Sequence, residues 1–340
     1  MEPLYPGLER TSGLTYVFLI HHEPSNTQLL FDLGMRKNFK THLSPHLLKR
    51  LEPTGIQMSV ERDVSEILEE HGVQPANIDT IIFSHHHFDH VGDTTKFPAS
   101  TRLLVGPGYK ARYLPGYPTD PDAVDTTADL YEGRETVELD FADSDPRVSE
   151  IGGFKAFDYF GDGSFYVLNT PGHTADHLSA LARTTAGPGD DSTFMFLGGD
   201  IVHSCTVFRP TDKFPLPVTI TPAPNAAPSS TTSCPGDVFA RIHRLHGEAD
   251  GARLSRTTPF CHVAGPEVNL AESQRNADKL AAFDGEHNIF TVYAHDSSLR
   301  DVVEYFPKTA NDWRSKGWAH RGHWRFLAPM MKGIGHGQEE

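Results

Sequence analysis

The hydrophobic pattern of this chain breaks into short apolar runs, several of which stop abruptly on histidine or aspartate. Residues 15–22 and 27–33 predict two strands around the turn-like Glu23-Pro24-Ser25-Asn26. Between Glu61 and Gly72, Val64, Ile67 and Leu68 share one face with charged residues between them, which is helical spacing. Residues 78–83 predict the next strand. Further strands are expected at 103–105, 136–141, 154–160, 165–169, 177–183 and 193–197. A helix is expected at 269–283 and a last strand at 289–293. Strands and helices alternate without an internal repeat, the pattern of an α/β fold with mixed sheets covered by helices.

The chemistry concentrates where these runs end. Ile81-Ile82-Phe83 leads into Ser84-His85-His86-His87-Phe88-Asp89-His90, a His-x-His-x-Asp-His pattern. Residues two apart in extended chain point the same way, so His85 and His87 can hold one ion together. Asp89 and His90 follow as the chain turns and are free to reach a second ion. His86 lies between the two ligands and is expected to face away. Imidazole and carboxylate suit zinc, iron and manganese. Three later runs deliver similar groups: Val167-Leu168-Asn169-Thr170-Pro171-Gly172-His173, Phe194-Met195-Phe196-Leu197-Gly198-Gly199-Asp200 and Phe290-Thr291-Val292-Tyr293-Ala294-His295. Open α/β sheets gather their ligands at the carboxyl ends of strands.

In this order the residues resemble the metallo-β-lactamase superfamily of metal-dependent hydrolases. Leu29-Leu30-Phe31-Asp32-Leu33-Gly34 resembles its Asp-x-Gly element, in which the acid supports the metal loop. The resemblance spans about residues 15 to 300 and implies an αββα sandwich, two mixed sheets flanked by helices. Asp200 with the final Ala294-His295-Asp296 is similar to the binuclear lactonase branch, the N-acyl homoserine lactonase-like enzymes. The β-lactamases of the fold commonly have cysteine where this chain has Asp200. Carried over, the family pattern places His85, His87 and His173 on the first of two divalent ions, most simply zinc. Asp89, His90 and His295 would hold the second, with Asp200 bridging. One departure is that about fourteen residues precede the element matching residues 15–20, where relatives commonly have another strand or hairpin.

The composition narrows the function further. The chain has 340 residues, 38% apolar and 22% charged, and is expected to form one domain over 1–340. Its formal charge of −15 argues against nucleic acid and anionic membranes, and so against the nuclease branches of the same fold. Cys205, Cys234 and Cys261 are too scattered for a disulfide framework and fit a reducing, cytoplasmic setting. A proline-rich insertion at 209–235 follows Asp200 and is placed to roof the metal site. Ile201, Val202, His203, Phe208 and Arg209 are candidates for the pocket wall. A second proline-rich stretch, 106–134, interleaves Tyr109, Tyr113 and Tyr117. The extension at 303–340 is rich in Trp, His and Arg, with His320 and His323 three apart; it is placed to close over the pocket or to join two copies as a homodimer.

Two bridged divalent cations depress the pKa of a shared water to about 7 and supply hydroxide to attack a carbonyl. Asp89 is the expected proton donor to the leaving group and Asp200 the residue that holds both ions. His203 and Tyr293 are further candidate donors. The lactonase resemblance favours a lactone as the small-molecule substrate. A lactam or cyclic carbamate, a thioester, and a non-catalytic metal-binding protein are the alternatives.

Overall fold

The computed structural model describes residues 1–9, 13–188, 191–265 and 267–335. These residues form two compact units. The first comprises Thr15–Glu150 and Phe154–Ser179; the second comprises Met1–Leu14, Ile151–Gly153 and the chain from Ala180 onward.

The first unit is built on a five-stranded mixed sheet, in the order β1 (Phe18–His22), β2 (Thr27–Phe31), β3 (Thr80–Ile82), β4 (Arg102–Val105), β5 (Thr136–Glu138). β1 and β2 are antiparallel and the remaining neighbours parallel. Parallel strands are covered on both faces, so they read as unbroken apolar runs rather than alternating ones. Leu29, Leu30, Phe31, Ile81, Ile82 and Phe83 are accordingly all buried. Each such side chain contributes about 1.5–3 kcal/mol on burial. The expected helix is present as Val64–Glu70, started by a capping box between Asp63 and Glu66. After β6 (Val148–Ile151), β7 (Phe154–Asp158) pairs antiparallel with β8 (Phe165–Asn169).

In the second unit β9 (Leu178–Thr185) pairs antiparallel with β10 (Thr193–Leu197). A two-strand hairpin, β11 (Thr219–Ile220) and β12 (Cys234–Pro235), closes the base of the proline-rich insertion. β13 (Ile289–Val292) runs parallel to β10. The helix Leu270–Asp284 is capped by Asn269, whose side chain accepts from Glu272 N. Its buried face, Ala277, Leu280 and Phe283, packs toward the strands, with Phe283 and Phe196 ring centroids 5.0 Å apart.

Trp313 and Trp318, placed by sequence in an interface or lid, are fully buried core residues of the second unit; Trp313 stacks on Phe290 and donates to Thr184 Oγ1 at 3.1 Å. Of the two histidines three apart in this segment, His320 is exposed and His323 is buried. Among the described residues no helix is long and apolar enough to cross a membrane.

Candidate metal centre

In the first unit the metal loop begins where β3 ends. Asp32 N donates to Ile82 O at 2.8 Å, which carries the β2–β3 ladder one step beyond its last pair, Phe31 and Ile82. Asp32 is therefore beside Ser84, whose backbone N–H donates to Asp32 Oδ1 at 2.7 Å. The other carboxylate oxygen accepts from His90 Nδ1 at 2.8 Å. Asp32 is wholly buried and has a positive φ of 63°, a conformation that Asp tolerates better than most residues. The short helix Phe88–Val91 presents Asp89 and His90 and stops at Gly92, with φ of 49°. A Cβ there would lie 2.4 Å from Leu33 Cβ, so only glycine lets the loop close against the Asp32 turn.

Three imidazole nitrogens converge in this unit. His85 Nε2 is 2.9 Å from His87 Nδ1, and His173 Nε2 is 3.1 Å from the same atom. His85 Nδ1 is 3.0 Å from Ser84 Oγ; with its proton donated there, Nε2 presents a lone pair. One His87 nitrogen cannot satisfy two others by hydrogen bonding alone. Ligand nitrogens 2.0–2.1 Å from a tetrahedral ion lie about 3.3 Å apart, so the spacing suits a cation at the focus. His90, with its Nδ1 proton fixed on Asp32, likewise turns Nε2 toward the side of Asp89, whose Oδ2 is 3.9 Å away.

His86 faces away from these ligands, as expected, and is buried rather than solvated. Its Nδ1 is 3.1 Å from Asp176 Oδ1, and Tyr113 stacks on its ring at 3.8 Å while donating to Asp176 at 3.4 Å. Burial opposes ionisation of Asp176, but the His86 hydrogen bond and charge outweigh it and its pKa is lowered. Sequence reasoning missed Asp176 and placed Tyr113 only within a proline-rich loop. Nothing in the sequence connects Asp176 to this loop; in the fold Gly106 lets the chain pass close, since a Cβ there would lie 1.9 Å from Asp176 O.

The second unit carries a second group. β10 and β13 are in parallel register with Leu197 opposite Val292, and the ladder continues through Gly198 N to Val292 O and Ala294 N to Gly199 O, both at 2.8 Å. Asp200 and His295 each lie three residues beyond the Leu197–Val292 pair, so they emerge side by side. His295 Nε2 lies 3.2 Å from the Asp200 carboxylate. His295 Nδ1 donates to Leu14 O at 2.8 Å, which leaves Nε2 as a lone pair facing a carboxylate. A shared cation, or a proton, is what makes that arrangement favourable. Leu14 comes from the amino-terminal segment that sequence analysis treated only as a departure from the family pattern.

His203 Nε2 is 3.2 Å from Asp200 and its Nδ1 is 3.5 Å from Glu267. Burial opposes its protonation, but the two carboxylates outweigh that and raise its pKa. Glu267 was not anticipated, because it lies far along the chain outside any apolar run. Of the other expected wall residues, Ile201, Val202 and Phe208 are buried side chains, and Arg209 is held by Asp284. They are core groups, a consequence of the apolar stretch folding back under the strand ends.

The donor groups thus fit a divalent metal in both units, and the fold and chemistry agree with sequence relationships. Residues 10–182 match the metallo-β-lactamase superfamily model. Gamma-lactamase FDB1 of Fusarium pseudograminearum is 42% identical over 96% of this chain and 76% of its own length. The cytochrome monooxygenase mpaDE of Penicillium roqueforti is 36% identical over 97% of this chain, which spans 35% of that longer protein. Among solved structures, a B. thuringiensis AiiA variant with N-decanoyl-L-homoserine at its active site superposes with a TM-score of 0.51 at 15% identity, covering 86% of each chain. That likeness bears on the fold. The chain belongs to the metallo-β-lactamase superfamily and has its fold, two mixed sheets flanked by helices. Within that superfamily of metallo-hydrolases, its relatives include proteins named gamma-lactamase and metallo-hydrolase.

Proposed function

We propose that the chain is a binuclear metallohydrolase that opens a small cyclic acyl compound, with a γ-lactam or cyclic carbamate first in order and a lactone second. The observation that carries this reading is the 42% identity to a protein named gamma-lactamase, over nearly the whole chain. The lactone remains as the second reading because Asp200 and the Ala294-His295-Asp296 ending resemble the lactonase branch. In this reading His85, His87 and His173 hold one cation, Asp89, His90 and His295 the other, and Asp200 bridges. Two such cations, when bound, supply a hydroxide nucleophile at neutral pH and polarise the carbonyl.

The chain's own residues do the remainder. Asp32 and Leu14 O each accept a hydrogen bond from an Nδ1–H, of His90 and His295 respectively, and so fix the tautomers that leave Nε2 lone pairs for the metals. Asp89 would turn one carboxylate oxygen toward the leaving atom, where it accepts the proton shed by the attacking water and passes it on. A lactam's leaving nitrogen needs that proton more than a lactone's oxygen does. His203, held between Asp200 and Glu267, is a second proton carrier beside the site.

The test is ring opening by purified protein of a γ-lactam, a benzoxazolinone-type cyclic carbamate, a γ-lactone, an acyl-homoserine lactone and an acyl thioester, with metal bound and after chelation. Chelator-sensitive turnover of the lactam or carbamate supports the first reading, and turnover of lactones alone supports the second. Absence of both turnover and bound metal refutes the proposal.

A further inference from the structure

Tyr113, in the proline-rich stretch 106–134, stands behind the metal loop of the first unit rather than among its ligands. It ends the short helix Tyr109–Tyr113, and Thr126 Oγ1 anchors that end by donating to Tyr113 O at 2.8 Å. The Tyr113 ring stacks on His86, with centroids 3.8 Å apart and planes 17° apart. Its hydroxyl donates to Asp176 Oδ1 at 3.4 Å, and His86 Nδ1 donates to the same oxygen at 3.1 Å. Asp176 is wholly buried and His86 is 5% exposed, so water does not compete for this bond as it would at a surface pair.

The placement gives these three side chains a hold on the ligands. His86 shares peptide units with His85 and His87, so a backbone rotation that swings either ligand also draws His86 off Asp176. Asp176 in turn follows His173 by three residues, on the segment that brings the third nitrogen. One carboxylate therefore joins the two segments whose nitrogens converge, where His85 Nε2 and His173 Nε2 lie 2.9 and 3.1 Å from His87 Nδ1. A backbone bond from Leu178 N to Ser84 O, at 2.7 Å, joins the same segments one step further out. Ligands already held in place lose little freedom when an ion binds, and that saving appears as affinity.

We propose that Asp176, backed by Tyr113, is a positioning residue for the cation assigned to His85, His87 and His173. Acting through His86, it keeps those three imidazoles at binding distance before the ion arrives, and it is not itself a ligand. The proline-rich stretch 106–134 thereby becomes a support of the metal loop. The inference rests on the metal assignment of the three histidines proposed above and does not depend on which ring the enzyme opens.

The test titrates the stripped full chain with Co²⁺, whose visible spectrum reports ligand geometry, and reads affinity by competition with a chromophoric chelator. Asp176→Ala is expected to bind cobalt about 10–100-fold more weakly and with an altered visible spectrum. Asp176→Asn keeps an oxygen for the His86 Nδ1–H and should recover most of that loss. His86→Leu breaks the same bond from its other side, so the test stands even where Asp176→Ala does not fold. The double variant should bind no more weakly than the weaker single one, because both changes remove one bond. Tyr109→Phe removes a hydroxyl contact with Tyr131 in the same stretch and should bind cobalt as the native chain does. Native affinity and spectrum in Asp176→Ala or His86→Leu, a loss that Asp176→Asn leaves unrepaired, or losses that add in the double variant would each overturn the positioning role alone. No cobalt binding by the native chain would overturn the metal assignment with it.

Discussion

Asp32→Asn separates metal support from folding, because it changes one carboxylate oxygen to an amide nitrogen and little else. Asp32 accepts from Ser84 N at 2.7 Å through Oδ1 and from His90 Nδ1 at 2.8 Å through Oδ2. Asparagine adopts the positive φ of 63° as readily as aspartate, so the turn is kept. Its single carbonyl oxygen can serve Ser84 or His90 but not both. If it serves Ser84, the amide NH₂ faces His90 Nδ1, which must become the acceptor, and the imidazole proton moves to Nε2, where the metal should bind. If the amide is flipped, its NH₂ opposes the Ser84 N–H and a buried donor goes unmet. Either arrangement costs about 1–3 kcal/mol, a factor of roughly 10–100 in affinity for the ion held by His90, which agrees with the usual loss on changing a ligand's supporting partner. The assay is competition with a chromophoric chelator, read alongside metal content per chain and the melting temperature of the stripped protein. Chelator competition unchanged from the native protein, with both ions retained, would refute the role of Asp32 and with it the assignment of His90 as a ligand.

Other substitutions probe the remaining parts. His87→Ala removes the nitrogen that His85 and His173 both approach within 3.1 Å, so metal content and turnover should fall together; full activity in that variant ends the two-metal reading. Asp200→Asn should leave fewer than two ions per chain by elemental analysis, and an unchanged stoichiometry means that Asp200 does not bridge. The depressed pKa of His323, about 3 against an ordinary 6.5, makes stability complete above pH about 6.5 and progressively lost as pH falls toward 3, since the unfolded chain binds the proton that the folded one refuses. The loss is on the order of a few kcal/mol, and denaturant titrations of His323→Phe between pH 4 and pH 7 should show a flatter acid limb. Deleting residues 222–233 removes an excursion based on the Thr219–Ile220 and Cys234–Pro235 hairpin and costs the Arg325 hydrogen bond to Ala226 O. That bond is worth about 1 kcal/mol, so substrate preference should change while the melting temperature drops only slightly; a collapse in melting temperature would make the loop structural.

The strands that present the candidate ligands could be read from the sequence. β2, β3, β8, β10 and β13 were legible because strands buried on both faces must be apolar throughout, and a run that ends on His or Asp has reached the edge of the core. The ligand types and their order followed from the same run ends, and the family from that order. Boundaries were less clear: the strand expected over residues 136–141 spans Thr136–Glu138, and the short helices around residues 39–51 and 237–257 carried no pattern strong enough to show. Which groups lie against the candidate ligands depends on packing between distant segments. Leu14, Tyr113, Asp176 and Glu267 act through a carbonyl, a ring face and two carboxylates, each brought into place by chain far from the residue it contacts. Packing likewise makes Trp313 and Phe208 core residues. Periodicity records which side of an element is apolar. It does not record what that side meets, because the partner is chosen by packing between distant segments, and the same apolar residue serves a core, a pocket or an interface.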